Sequence, residues 1–277
     1  MIKVIDVDEL FDKYISDYVY SNIGKIKPEE IENNIPALYV KFGEEKLKEL
    51  DGKTPQEYYK SFAPVELLVC LKEHIEKGVS ISDFLCEAIT ENPDSESALI
   101  NAVSNDECEE YTLYVMNMLQ ETGSTKCLNR YLELVTWDYS EPIKELATEY
   151  LRDHAETVKE QVLISFKEAD DKIKPYLTEI LAGCKSDDRV FDILISEFVR
   201  HGENIPLYAG YLAKHGDERA LPFLMTAIEN EKISYADFEE LRFAIEALGG
   251  TYDKIRDFKS DKSYKKIKGI NKKNLEN

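Results

Sequence analysis

The sequence predicts an all-α fold, a stack of helix pairs behind an N-terminal helical cap, and three observations lead there. Apolar residues recur at three- and four-residue steps, the spacing of one side of an α-helix; Val190, Ile193, Leu194 and Phe198 form one such stripe, and Leu221, Leu224 and Ile228 another. No segment sustains the two-residue alternation of a half-buried strand. Leucines that close helical runs return at Leu119, Leu151, Leu181, Leu212 and Leu248, at intervals of 32, 30, 31 and 36 residues. A recurring interval holding two helical patterns is the signature of a helix-pair solenoid, because each pair buries its apolar side only on its neighbours.

The boundary between repeats is clearest in "AKHGDERALPFL" (213–224). Gly216 fits a helix C-terminus, where a left-handed residue is needed and glycine has no Cβ to clash. Asp217 then caps the next helix, Glu218 sits at its positive end, and Pro222 lies where a missing N–H costs little. Asp187-Asp188-Arg189 repeats Asp217-Glu218-Arg219 thirty residues earlier. Pro175 and Pro206 each precede a closing leucine by six residues, which puts both in the first turn of a second helix.

Taken in order, residues 1–62 form a cap outside the period. Leu10, Phe11, Tyr14, Ile15, Tyr18 and Val19 share one helical side; Asp51-Gly52 marks a turn; Thr54 caps a helix that begins at Pro55. Residues 63–250 hold the pairs: 64–78 with 81–91, 94–103 with 107–121, 125–136 with 140–153, 155–167 with 170–182, 187–200 with 204–214, and 217–229 with 235–248. Residues 251–277 read as a basic, partly disordered tail. From Lys254 to Asn277 there are nine basic and three acidic residues, against a net charge of -20 for the whole chain.

The motif Gly216-Asp217, Arg219-Ala220, Pro222-x-Leu224, with Ala244 or Ala247 ahead of Leu248-Gly249, resembles a HEAT-like repeat of the short bacterial type. The resemblance is good for that unit and fair for 181–214. It thins to period and apolar steps over 119–180. It implies an armadillo-like alpha-alpha superhelix whose second helices line the concave side.

Composition bounds the function. An apolar fraction of 43% can bury a core, and 32% charged residues suit a body with much surface. The acidic excess disfavours broad contact with nucleic acid or an anionic membrane face. Nucleic acid is expected only through the basic tail. Five widely spaced cysteines in apolar stretches read as core thiols of a reducing compartment. An acidic N-terminus is unlike a secretory leader, and the longest apolar stretch, near 65–71, is too short to span a bilayer. The expected place is the cytoplasm.

No catalytic cluster is expected, and neither a cofactor nor a metal. His74, His154, His201 and His215 lie far apart without ligand spacing. Glu109-Glu110, Asp170-Asp171 and Asp187-Asp188 stand at helix starts, where capping accounts for them. Seventeen tyrosines against one tryptophan point instead to a contact surface. The second helices carry Tyr111, Tyr114, Tyr150, Tyr176, Tyr208 and Tyr211 beside Glu109, Glu110, Glu145, Glu149, Glu239 and Glu246. Together they predict an acidic, tyrosine-lined trough for a protein or peptide, a basic one foremost, and hence a non-enzymatic scaffold. The resemblance also implies an alternative, because HEAT-like relatives include DNA glycosylases with an aromatic residue and an Asp in a basic cleft, and chaperone lyases of bilin chromophores. Trp137-Asp138-Tyr139 is the segment that would serve there.

Overall fold

A computed structural model describes residues 2–24, 27–105, 108–185 and 187–275. Every regular element among them is helical; a lone antiparallel bridge, Leu47 to Lys53, closes one turn. Helices pack on their neighbours in chain order, within two compact units, Met1–Arg130 and Tyr131–Asn277.

The first unit holds α1 (Val7–Asn22), α2 (Pro28–Gly43), α3 (Pro55–Tyr59), α4 (Pro64–Lys77), α5 (Asp83–Thr90), α6 (Ser95–Asn105) and α7 (Glu109–Glu121). Asp6 caps α1, its carboxylate accepting from the Glu9 N–H at 2.8 Å. Phe11 and Tyr14 of α1 meet Tyr39 and Phe42 of α2, and Phe84 of α5 stacks on Tyr39 at 5.2 Å. The turn at Asp51-Gly52 is left-handed at both residues. Thr54 and Glu57 exchange hydrogen bonds in a complete capping box at α3, satisfying two donors that a helix start leaves open. The sequence reading draws no helix over 28–43.

The second unit begins within α8 (Leu128–Thr136), where the division falls. It continues through α9 (Glu141–Asp153), α10 (Ala155–Glu168), α11 (Lys174–Ala182), α12 (Asp188–Arg200), α13 (Ile205–His215), α14 (Leu221–Ile228), α15 (Tyr235–Ala247) and α16 (Lys262–Leu275). The second helices form one layer: α11 packs on α9 and α13, and α13 on α15. The first helices, α10, α12 and α14, lie behind them. Leu151, Leu181, Leu212 and Leu248 are all buried, as are Val162, Leu194 and Leu224 of the first helices. Gly216 ends α13 with φ 79°, and Asp217 accepts from the Arg219 N–H at 2.9 Å. The expected helix over 217–229 divides into a tight turn at 218–220 and α14, with Pro222 in the first turn of α14. Residues 170–173 form a turn held by Asp170 rather than the start of α11.

Side chains of the first-helix layer tie each pair to the next at about the period of the sequence. Arg189 grips Glu160 with two hydrogen bonds, at 2.9 and 2.7 Å, and also holds Asp187. Thirty residues on, Arg219 bridges Asp188 and Asp217 and lies over the Phe191 ring at 4.2 Å. Arg200 reaches Asp171 at 2.8 Å.

The described part of the C-terminal segment makes specific contacts with the last helix pair. Arg256 donates to the carbonyl of Ile228, which the end of α14 leaves open, at 2.9 Å, and to that of Asn230 in the following turn at 3.1 Å. Phe258 packs on Phe238 at 5.0 Å, and Tyr264 on Tyr235 at 4.9 Å. Lys254 meets Glu229 at 2.5 Å. These contacts cover the apolar end of the last pair, which a stack must hide. Residues 276–277 lie outside the described residues.

Candidate functional site

The open side of the second-helix layer carries a groove of about 580 Å³ across α9, α11 and α13. Helical spacing builds its walls. Glu145 and Glu149 are one turn apart on α9, with Thr148 and Arg152 beside them; Glu141, a turn before Glu145, lies outside the lining. Pro175, in the first turn of α11, sets Tyr176 and Glu179 facing α9 across the groove. Leu207 and Tyr211, one turn apart on α13, complete the lining.

One end of the groove is internally satisfied. Arg152 Nη1 donates to Glu179 Oε1 at 2.7 Å, and the Tyr211 hydroxyl donates to Glu179 Oε2 at 3.2 Å. Burial, then the Glu179 charge, pushes the Tyr211 phenol well up. Lys214 on α13 is pushed down, by burial and then by Arg152. The other end is not satisfied. Glu141 and Glu145 form no ion pair among the described residues, and Glu149 comes no nearer than 4.0 Å to Arg152. Burial, then the Glu141 and Glu145 charges, raises the Tyr176 phenol. Thr148 is only 2% exposed, and neither its hydroxyl nor Arg152 Nε has a hydrogen-bond partner.

The groove therefore joins Glu145, Glu149, Tyr176 and Tyr211 of the predicted trough. Three of the other tyrosines are corrected into the core. Tyr111 is buried in the first unit with Lys72 over its ring at 5.8 Å. Tyr150 is buried against Tyr131 and His154, and Tyr208 is buried and stacked on His201 at 5.1 Å. Each of the last two follows a groove residue by one position, and one position turns a helical side chain by about 100°, from the open side to the packed one. Tyr114 is 36% exposed on α7 of the first unit and does not line this groove. Glu239 and Glu246 flank Arg242 on α15, at 3.0 and 3.7 Å, outside the lining.

Thr148, Arg152, Pro175, Glu179 and Leu207 are the groove residues that the sequence reading missed as site residues. A signal for two of them lies in the closing leucines. Arg152 follows Leu151 by one residue and Glu179 precedes Leu181 by two, as the predicted Tyr211 precedes Leu212 by one.

Trp137 is 58% exposed beside a smaller hollow of about 380 Å³ whose lining includes Glu168 and Asp170 and no Lys or Arg among the described residues. That is the opposite charge to a cleft for a nucleic-acid base. Cys70 lies 3.5 Å from His74 Nδ1, but burial pushes its thiol up to about 12, so the pair holds no ready thiolate. Burial likewise pushes Cys86 and Cys184 up to about 11. Among the described residues, no helix is long and apolar enough to cross a membrane.

Fold and groove define an all-α protein of packed helix pairs with an acidic, aromatic hollow on one helix layer. No family model matches the chain, and no curated protein or solved structure does so either.

Proposed function

We propose that this chain is a HEAT-like repeat protein of the cytoplasm that binds a protein partner, without catalysis, through the second-helix layer around α9, α11 and α13. The observation that carries the reading is the groove's mixed lining: tyrosine and leucine surfaces set beside Glu145, a carboxylate with no ion-pair partner among the described residues, and Glu149, held only at 4.0 Å from Arg152. Tyrosine offers an apolar ring and a polar tip, and unpaired surface acid steers a partner of opposite charge. A linear basic segment of the partner meets both demands.

The test begins with selection of random twelve-residue peptides on the full-length chain. Hydrogen exchange with and without a selected peptide then maps its seat. The expected result is protection of 141–153, 174–182 and 205–215. Protection confined to the Trp137 hollow or to the basic tail would replace this reading.

A further inference from the structure

The two ends of the groove differ in a way that specifies what enters it. At one end Arg152, Glu179 and Tyr211 close a hydrogen-bonded set. At the other, Glu145 lines the groove with Tyr176, and Glu141 stands four residues before it on α9, outside the lining; among the described residues no cation pairs with either. Like charges at that spacing weaken a helix. On the other layer Glu160 and Asp187 are both met by Arg189.

The second observation lies beneath these acids. Thr148 lines the groove, is 2% exposed, and has a hydroxyl without a partner; Arg152 Nε is a buried donor in the same condition. A threonine inside a helix commonly returns its hydroxyl to the carbonyl four residues back. Thr226 and Thr178 do so here, each at 2.8 Å, and Thr148 does not. Buried polar groups without partners are costly and uncommon.

We propose that the groove is a subsite for an arginine-bearing peptide segment, with the guanidinium lying on Tyr176 and paired to Glu145, and a peptide carbonyl accepting from Thr148 and Arg152 Nε. This deepens the binding reading above and rests on it. Arginine suits the place better than lysine. Its planar fork pairs with carboxylates while its flat face stacks on an aromatic ring, and it gives up its hydration more easily. The donors at Thr148 and Arg152 require an acceptor, which every peptide bond supplies.

The experiment uses the tightest peptide from the selection, in its arginine form and with that arginine replaced by citrulline, a neutral group of the same shape. Fluorescence anisotropy is read against the full-length wild type, Glu145→Gln and Thr148→Val. The proposal expects citrulline to weaken binding by about tenfold, the size of one well-placed charge pair. It expects Glu145→Gln to weaken the arginine peptide similarly and the citrulline peptide hardly at all, because both changes remove one interaction. Thr148→Val should weaken the two peptides alike. Tyr176→Phe keeps the ring and should retain the arginine preference.

Fully additive losses would overturn the arginine assignment. Selected peptides that protect α9, α11 and α13 but carry no basic residue would overturn it too, and leave the binding reading standing. A selection that yields no peptide protecting those helices would bring down the binding reading and the subsite together.

Discussion

The two sides of the second unit use charge in opposite ways. On the side of α10 and α12, acids meet bases: Glu160 and Asp187 meet Arg189, Asp188 and Asp217 meet Arg219, and Asp171 meets Arg200. Glu160–Arg189, Asp188–Arg219 and Asp171–Arg200 join residues about one period apart and fix each pair on the next, while Asp187 and Asp217 hold the same arginines from two residues away. On the side of α9, Glu141 and Glu145 meet no base among the described residues, and the buried Thr148 hydroxyl has no hydrogen-bond partner among them. A protein that pairs its acids where register is needed, and leaves them bare over a tyrosine, has separated the charges that hold it from those that face outward.

Both sides depend on the apolar layer between them. Leu181 is fully buried, and Leu181→Ala should cost about 3 kcal/mol in urea denaturation. That loss would blunt the comparison by loosening both sides at once. Gly183→Ala is subtler, because the new Cβ would lie 2.6 Å from the Arg152 carbonyl oxygen and 3.1 Å from the Ala155 Cβ. Its φ is ordinary, so crowding alone acts, and a cost of about 2 kcal/mol is expected.

The next change touches the paired side alone. Asp187 caps α12 and holds Arg189, and Asp187→Ala should cost about 1 kcal/mol at neutral pH. The hydrogen bond from Arg189 holds the Asp187 carboxyl well below the usual carboxylate range. A carboxyl depressed in the folded state stabilises above its unfolded value, near 4, and that stability fades as pH falls toward the folded one. The gap between wild type and Asp187→Ala should therefore be full at pH 7 and shrink below about pH 4. A gap that widened in acid would contradict the assignment.

The smallest effect is the sharpest in sign. Glu145→Gln relieves like charge along α9 and should stabilise by about 0.3 kcal/mol. Glu160→Gln removes the partner of Arg189 and should destabilise. Equal signs in matched thermal melts would erase the distinction between the two sides.

Much of the architecture was legible because it is local and periodic. The closing leucines, Gly216, Asp217 and the prolines at 175 and 206 each act within a turn of their own helix, and the helices stand where those residues put them. Helix α2 was not legible: Pro36 interrupts its pattern and most of it is exposed. Arg256 reaches the end of α14, a contact 28 residues long that no local pattern announces. Half of the groove was legible for the same local reason, since Glu145, Glu149, Tyr176 and Tyr211 lie on second helices. The rest depends on rotation about each axis. Neither the inward turn of Tyr150 and Tyr208 nor the exposure of Leu207 follows from their being apolar or aromatic.

The most direct test compares matched charge reversals on the two sides. A peptide selected on the wild-type chain is titrated by anisotropy against Glu145→Lys/Glu149→Lys and against Glu156→Lys/Glu160→Lys. The account predicts that the first pair abolishes binding while the helical signal stays intact, and that the second leaves affinity unchanged. Equal loss from both reversals, or undiminished binding by the first, would contradict it.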